Sequence, residues 1–355
     1  SSVGSAGDVN GDGFGDFMIG MPGADPISVQ NSGSTYVIFG HGSAWAATFN
    51  LTSLTGANGF RLDGVAEFDR SGEAIASAGD VNGDGYDDVI VGADSADPGN
   101  VSIAGSAFVV FGKPGGWTST IALSSLNGSN GFRINSTVFE EFAGAGVASA
   151  GDINGDGYGD LIVGAPGADP GGNDAAGTAY VIFGKPSGWT STLNLSSLNG
   201  TNGFRIDGAA SSNFVGIAVA PAGDVNGDGF DDLIVGAQGA DPGSTTNGGS
   251  SYVIYGKASG WTAALPLASL NGTNGFRLDG VANFDKSGTS VASAGDVNRD
   301  GFADLIVGAP ESNASGPTQV GASYVVFGDA TGAITRTGTA ANNFFGGGSF
   351  NDSLS

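Results

Sequence analysis

The sequence predicts an all-β protein made of five copies of one short-stranded unit, and three observations carry that expectation. The first is a period: "DVNGDGFGD" at residues 8–16 returns in closely similar form at residues 80, 152, 224 and 296, each time 72 residues on. The second is glycine, which fills 67 of 355 positions against a usual share near 7%, with no Gly-X-Y period. The third is a set of short runs rich in Val, Ile, Phe and Tyr, broken by Gly, Pro, Asn and Asp turns. Self-similarity at a fixed interval is the mark of a repeat architecture.

Each copy offers four strand-like runs. The first is built from small residues, as in "VASAGD" from Val147 to Asp152, and suits strands crowded near a common axis. The acidic loop follows. The second run ("LIVGA") and the third ("YVIFG") are continuously apolar, the pattern of strands buried on both faces. A longer connection carries a tryptophan and then "LSSLNG", long enough for one helical turn. The fourth run is "GFRLD" or a close variant. Four-stranded antiparallel sheets packed between like sheets make a β-propeller, here of five 72-residue blades, with part of a seven-bladed ring as the alternative.

The ends fit five blades. Ser1 to Gly7 match Glu73 to Gly79, so the chain enters inside a first run. Beyond Phe327-Gly328, "TRTGTAANNFFGGG" resembles "FRIDGAASSNFVGI" of the third-to-fourth junction, so the fifth copy is expected to supply its own fourth strand. Residues 1–346 read as the propeller and residues 347–355 as a tail. The chain starts without Met or a signal peptide and reads as a mature or excised fragment.

Composition narrows the function. With 35 acidic and 11 basic residues the formal charge is −24, which argues against nucleic-acid binding and anionic membranes and favours cations. No apolar stretch is long enough to span a bilayer, so no membrane insertion is expected. Cys is absent, which removes disulfides and thiolate metal sites.

The acidic loop fits calcium, a hard cation that takes six to eight oxygen ligands, carboxylates and backbone carbonyls among them. In the first copy Asp8, Asn10 and Asp12 sit at positions 1, 3 and 5. Gly13 at position 6 allows a sharp turn. Phe14 at position 7 offers its carbonyl while its ring is free to pack under the next blade, and Asp16 at position 9 can bind through both oxygens. The same roles fall on Asp80, Asn82, Asp84, Tyr86 and Asp88; on Asp152, Asn154, Asp156, Tyr158 and Asp160; on Asp224, Asn226, Asp228, Phe230 and Asp232; and on Asp296, Asn298, Asp300, Phe302 and Asp304. Five Ca²⁺ ions, one per repeat, would bring the charge from −24 to −14. An EF-hand does not fit, because its position-12 Glu is replaced by Ile19, Val91, Val163, Val235 or Val307. Mg²⁺ resists dehydration and suits such a loop less well.

At this point the sequence resembles the FG-GAP repeats of the integrin alpha-subunit propeller. "DVNGDGYDDVIVGA" followed by "AFVVFG" is that pattern, and Phe183-Gly184 and Gly164-Ala165-Pro166 carry its two marks. The resemblance implies a propeller with calcium in the loops between first and second strands. It departs in repeat length and in having the loop in every copy, and integrin partner recognition does not carry over. The tail "GGSFNDSLS" resembles one imperfect copy of the RTX calcium nonapeptide, with Phe350 where Gly is expected.

Other repeated residues have quieter readings. Trp45, Trp117, Trp189 and Trp261 read first as caps packing over a blade edge and second as ligand platforms for sugar rings. Asp25, Asp97, Asp169 and Asp241, with Glu311 nearby in the fifth copy, read as turn caps. Arg61, Arg133, Arg205 and Arg277 are expected to pair with acids, and the lone His41 to lie at the surface. No nucleophile elbow or phosphate loop is present, so no enzyme is expected. The expected function is a calcium-binding, extracellular, adhesive or structural surface module whose partner is an extracellular protein, a glycan or a further copy of itself. A calcium-dependent lectin is the alternative; a self-assembling surface-layer protein and a glycosidase stand lower.

Overall fold

In the computed structural model, residues 1–312 and 320–329 are described, together with the short strands Phe344–Gly346 and Asp352–Ser353. The chain divides into two compact units. One comprises Ser1–Ser149, Tyr158–Leu161 and Phe183–Ser197; the other comprises Ala150–Gly157, Ile162–Ile182 and Leu198–Ser355. No described helix exceeds one 3₁₀ turn, and none is long and apolar enough to cross a membrane.

Each repeat folds into a sheet with its strands in the expected order. In the first unit, Ser2–Gly7, Asp16–Met21, Ser34–Ile38 and Gly59–Asp63 form the first sheet, and Ile75–Gly79, Asp88–Ala93, Ser106–Val110 and Gly131–Asn135 the second. In the second unit, Ala218–Gly223, Asp232–Ala237, Ser250–Ile254 and Gly275–Asp279 form the fourth, and Ser290–Gly295, Asp304–Ala309, Ala322–Phe327 and Phe344–Gly346 the fifth. Also in the second unit, Thr178–Ile182 and Gly203–Asp207 pair antiparallel in the third. A bulge ends the first strand just before the acidic loop, between Ser5 and Gly7, Ser77 and Gly79, Pro221 and Gly223, and Ser293 and Gly295. Such a bulge bends the chain and re-aims it into the loop.

Two departures from the sequence reading concern the sheet edge. Four sheets have five strands, because Thr120–Ala122, Thr192–Asn194, Ala264–Pro266 and Asp352–Ser353 each add to the preceding repeat's fourth strand in parallel. What reads as a connection is thus also an edge strand, and the expected helical turn follows it, as at Leu195–Ser197. The second departure is Phe344–Gly346, which pairs with Ala322–Phe327 in parallel, whereas the other fourth strands run antiparallel to their third strands. The fifth copy lacks the "GFR" hairpin of the others, so its fourth position is filled by a different return. Residues 330–343, which carry "TRTGTAAN", and most of the RTX-like tail lie outside the described residues.

Burial of the second strand differs between repeats. Asp88–Ala93, Asp160–Ala165 and Asp232–Ala237 are buried at every position, as expected of two-sided strands. In the first repeat Phe17 and Met21 are exposed, and in the fifth Ile306 is. Continuous apolar sequence therefore does not imply two-sided burial at these two strands. Side chains alternate across a strand, and only one face of each is covered.

Candidate metal loops

Each acidic loop is a tight arc stitched by its own carboxylates. In the first, Asp8 accepts N–H bonds from Asp12 at 3.1 Å and Gly13 at 2.8 Å. Asn10 Oδ1 accepts from the Asp12 N–H at 2.8 Å, and Asn10 Nδ2 donates to Asp12 Oδ2 at 3.0 Å. Asp12 Oδ1 accepts from the Phe14 N–H at 2.9 Å. The second, fourth and fifth loops repeat this pattern, and the third repeats its Asp152–Gly157 part. The arc turns at position 6, where Gly13, Gly85, Gly157, Gly229 and Gly301 hold φ between 86° and 94°. A Cβ there would meet nothing within 4 Å, so backbone conformation alone demands glycine.

Position 9 is set differently from the rest. Asp16 is buried; Oδ2 accepts from the Val9 N–H at 3.0 Å and Oδ1 from the Gly40 N–H at 2.7 Å. Asp88 bonds Val81 and Gly112 in the same way, and Asp232 bonds Val225 and Gly256. This acid therefore ties the loop to the end of the third strand, a role the sequence reading missed although the fixed eight-residue spacing signals a shared structural task. Burial pushes the Asp16 carboxyl up to about 6 and those of Asp88 and Asp232 up to about 8; the backbone bonds oppose the shift, and neighbours such as Asp84 and Asp80 add to it. Among the described residues no three acidic or histidine side chains converge into a ready-made metal centre. The carboxylates instead face backbone N–H groups. The donor set still fits calcium: per loop it offers three carboxylates, one amide oxygen and one carbonyl, all hard oxygen.

The position-7 ring packs on the preceding repeat, not under the next. A Cβ on Gly11 would lie 2.3 Å from Tyr86 Cε1, and Gly83, Gly155 and Gly227 stand in the same relation to Tyr158, Phe230 and Phe302. Backbone bonds accompany the ring. Asp8 O accepts from Asp87 N–H at 3.3 Å, Asp80 O from Gly159 at 2.8 Å and Asp224 O from Ala303 at 3.0 Å. Val9 O accepts from Lys113, Val81 O from Lys185, Ile153 O from Lys257 and Val225 O from Asp329. Each loop is thus also a socket for the following repeat.

The tryptophans divide. Trp117 stacks on Phe60 with ring centres 4.3 Å apart, Trp189 on Phe132 at 4.2 Å and Trp261 on Phe204 at 4.2 Å. Lys113, Lys185 and Lys257 each place an ammonium 4.6 Å from the ring centre, and a face stacked on phenylalanine has no room for it, so both faces are taken. These three are clamps onto the preceding repeat rather than open platforms. Trp45 differs: it is exposed, stacks on His41 at 4.2 Å and meets Phe17 and Phe49 edge-on.

The remaining repeated residues are structural. Asp25, Asp97, Asp169 and Asp241 each accept an N–H six residues on, at 2.6–2.7 Å, closing the next turn. Arg61, Arg205 and Arg277 pair with Asp63, Asp207 and Asp279. Arg133 faces Asn135 instead and bonds Ser106 Oγ at 3.0 Å. Lys286 reaches Glu311 at 2.7 Å, and the exposed His41 bonds Ser43.

Residues 1–38, 71–110, 143–182, 215–254 and 287–326 each match the FG-GAP repeat, every match holding an acidic loop and the strands around it. The chain belongs to the FG-GAP repeat family. It is 34% identical over 186 residues to integrin alpha-5 of Xenopus laevis, covering 51% of this chain and 15% of that one. It is 33% identical over 164 residues to the phosphatidylinositol-glycan-specific phospholipase D of Rattus norvegicus (46% and 18%), and 31% identical over 250 residues to integrin alpha-V of Gallus gallus (69% and 20%). The FG-GAP chain spans a fifth or less of these relatives' length. Similar sequence thus occurs both in integrins and in a protein named for a phospholipase activity, and by itself it assigns no activity.

Proposed function

We propose that this FG-GAP chain is a calcium-binding, non-catalytic surface module that works outside the cell in adhesion or as structure. One observation carries the reading: the same all-oxygen donor set recurs in five loops that close on a glycine at position 6. Positions 1, 3, 5 and 9 and the position-7 carbonyl would hold one Ca²⁺ per loop. A bound ion would supply the positive charge these carboxylates lack, and so hold each hairpin and the socket behind it. Sites of this kind, on exposed loops, belong with extracellular calcium modules, which bind at about 10⁻⁴–10⁻³ M. The similarity to integrins supports an adhesive role with a protein or glycan partner. Glycan binding is the second reading and rests on Trp45 alone, the one tryptophan with an open ring.

The test is calorimetry of the whole chain. Calcium titration is expected to show about five sites, one per loop as the repeated sequence sets out. At a hundredfold excess over Kd each site adds about 2.7 kcal/mol to stability. EDTA should therefore lower the melting temperature steeply. A melt unchanged by EDTA, with no heat on calcium addition, would sink the calcium reading.

A further inference from the structure

Asn-Gly is the step at which a peptide chain most readily modifies itself. The glycine has no side chain in the way, so its backbone nitrogen can reach the asparagine Cγ and close a cyclic imide. The sequence contains twelve such steps, and the fold treats them differently. Five have a buried glycine: Gly59, Gly131, Gly203, Gly248 and Gly275. In three more, Gly128, Gly200 and Gly272 donate their N–H to the carbonyls of Gly131, Gly203 and Gly275 at 2.8–2.9 Å. The last four lie in acidic loops, where Gly11, Gly83, Gly155 and Gly227 are exposed.

These four loops hold nearly every feature of the reaction constant. The glycine φ is 71–75° in all of them. Asn10 Oδ1 accepts the Asp12 N–H at 2.8 Å, and Asn82, Asn154 and Asn226 accept from Asp84, Asp156 and Asp228 at the same distance. Each Asn Nδ2 also donates to that aspartate's Oδ2 at 2.9–3.0 Å. An N–H on the amide oxygen draws charge from Cγ and stabilises the oxygen's charge once a nucleophile adds. The electrophile is therefore prepared alike in all four, and the nucleophile differs. Gly83 donates its N–H to Asp80 Oδ1 and Gly227 to Asp224 Oδ1, both at 2.7 Å. In the first and third loops Asp8 Oδ1 and Asp152 Oδ1 take only the position-5 N–H, at 3.1 and 2.9 Å. Among the described residues the N–H groups of Gly11 and Gly155 have no acceptor. A nitrogen whose proton is bonded to a carboxylate must lose a charge-assisted bond before it can attack.

We propose that Asn10 and Asn154 are self-modification sites, which deamidate ahead of every other Asn-Gly step in the folded chain. The Gly11 nitrogen bonds to Asn10 Cγ and its proton passes to water. The Cγ–Nδ2 bond breaks, and Nδ2 takes up a proton and leaves as ammonia. Water then opens the imide. Adding at Cγ, it leaves an aspartate; adding at the backbone carbonyl of the same residue, it leaves an isoaspartate, with the main chain rerouted through the side chain and one methylene longer. Either product adds one negative charge per loop, so the two sites together take the formal charge from −24 to −26. In the first loop that charge falls between Asp8 and Asp12, which already repel each other. The fifth loop is an internal control. Asn298 makes the same two contacts with Asp300, but Arg299 follows it, and a side chain on the attacking residue hinders ring closure. The proposal stands apart from the calcium reading, since it rests on the hydrogen bonds within the loops.

Peptide mapping by mass spectrometry tests it, on the full folded chain incubated in EDTA at mildly alkaline pH, with electron-transfer fragmentation to separate isoaspartate from aspartate. Asn10 and Asn154 are expected to convert at least fivefold faster than Asn82 and Asn226, with Asn298 slower than all four and one ammonia released per conversion. In urea the four loops present the same Asn-Gly-Asp-Gly sequence, so their rates should converge. Either Asn10 or Asn154 converting no faster than Asn82 and Asn226 overturns the proposal, and so does conversion led by a step outside the loops. An order that persists in urea would overturn it too, because local sequence and not the fold would then set the rates.

Discussion

Trp117 and Trp45 occupy the same place in two copies of one repeat and live in different surroundings. Trp117 is 8% exposed, its ring held between Phe60 and Lys113; Trp45 has no preceding phenylalanine and borrows His41 from its own repeat. The repeat sequence sets the strand, the turn and the ring's address. The neighbouring repeat decides whether the ring is core or surface. In a repeat array, stability is close to a sum of terms within repeats and terms between neighbours, and these two tryptophans separate the two.

The largest expected effect comes from removing the clamp at each site. Trp117→Ala deletes a buried aromatic ring and its stacking on Phe60 and is expected to cost about 3–5 kcal/mol. Trp45→Ala removes a ring already half in water and should cost under about 1 kcal/mol. Urea unfolding followed by far-ultraviolet circular dichroism measures both. Equal losses would mean that the two tryptophans contribute alike and that the neighbour term is small.

The second effect separates two glycines of one loop. Gly83→Ala pays for a left-handed backbone and also drives a Cβ to 2.4 Å from Tyr158, so about 2–4 kcal/mol is expected. Gly85→Ala meets nothing within 4 Å and carries only the backbone penalty, about 1–2 kcal/mol. Arg299 takes the place of Gly83 in the fifth loop and holds a left-handed φ of 63° there. Should Gly83→Ala prove no worse than Gly85→Ala, the ring contact is loose and the socket is not what holds consecutive repeats together.

Much of this was legible in the sequence. The 72-residue period, the four runs and the closing glycine at position 6 are local features, and local chemistry dictates them. The fixed Asp at position 9 was legible as important but not as a tie to Gly40 or Gly112, because hydrogen bonds across 24 residues leave no local pattern. The edge strand Thr120–Ala122 was hidden for a similar reason: three residues paired to the preceding repeat carry no periodicity of their own. The position-7 ring was placed against the wrong neighbour, since sequence tells that a ring must pack and not in which direction. Two-sided burial failed at Phe17 and Ile306 because it depends on what lies beyond the strand.

The smallest expected effect concerns the one repeat whose arginine lost its acid. Arg205 and Asp207 pair at 3.0 Å on the surface, where such a pair contributes about 0.5 kcal/mol. In the second repeat Asn135 takes the acid's place, and burial presses the Arg133 guanidinium toward its neutral form while the charge of Asp69 resists. Asn135→Asp should restore the pair. Because Arg133 is more enclosed than Arg205, the gain should exceed the surface value, at about 1 kcal/mol, and should fade in high salt less than that of Arg205–Asp207. Chemical unfolding of N135D against the parent at low and high ionic strength reads this directly. A loss of stability would show that Asp69 already supplies the charge that Arg133 needs and that a second carboxylate crowds the site.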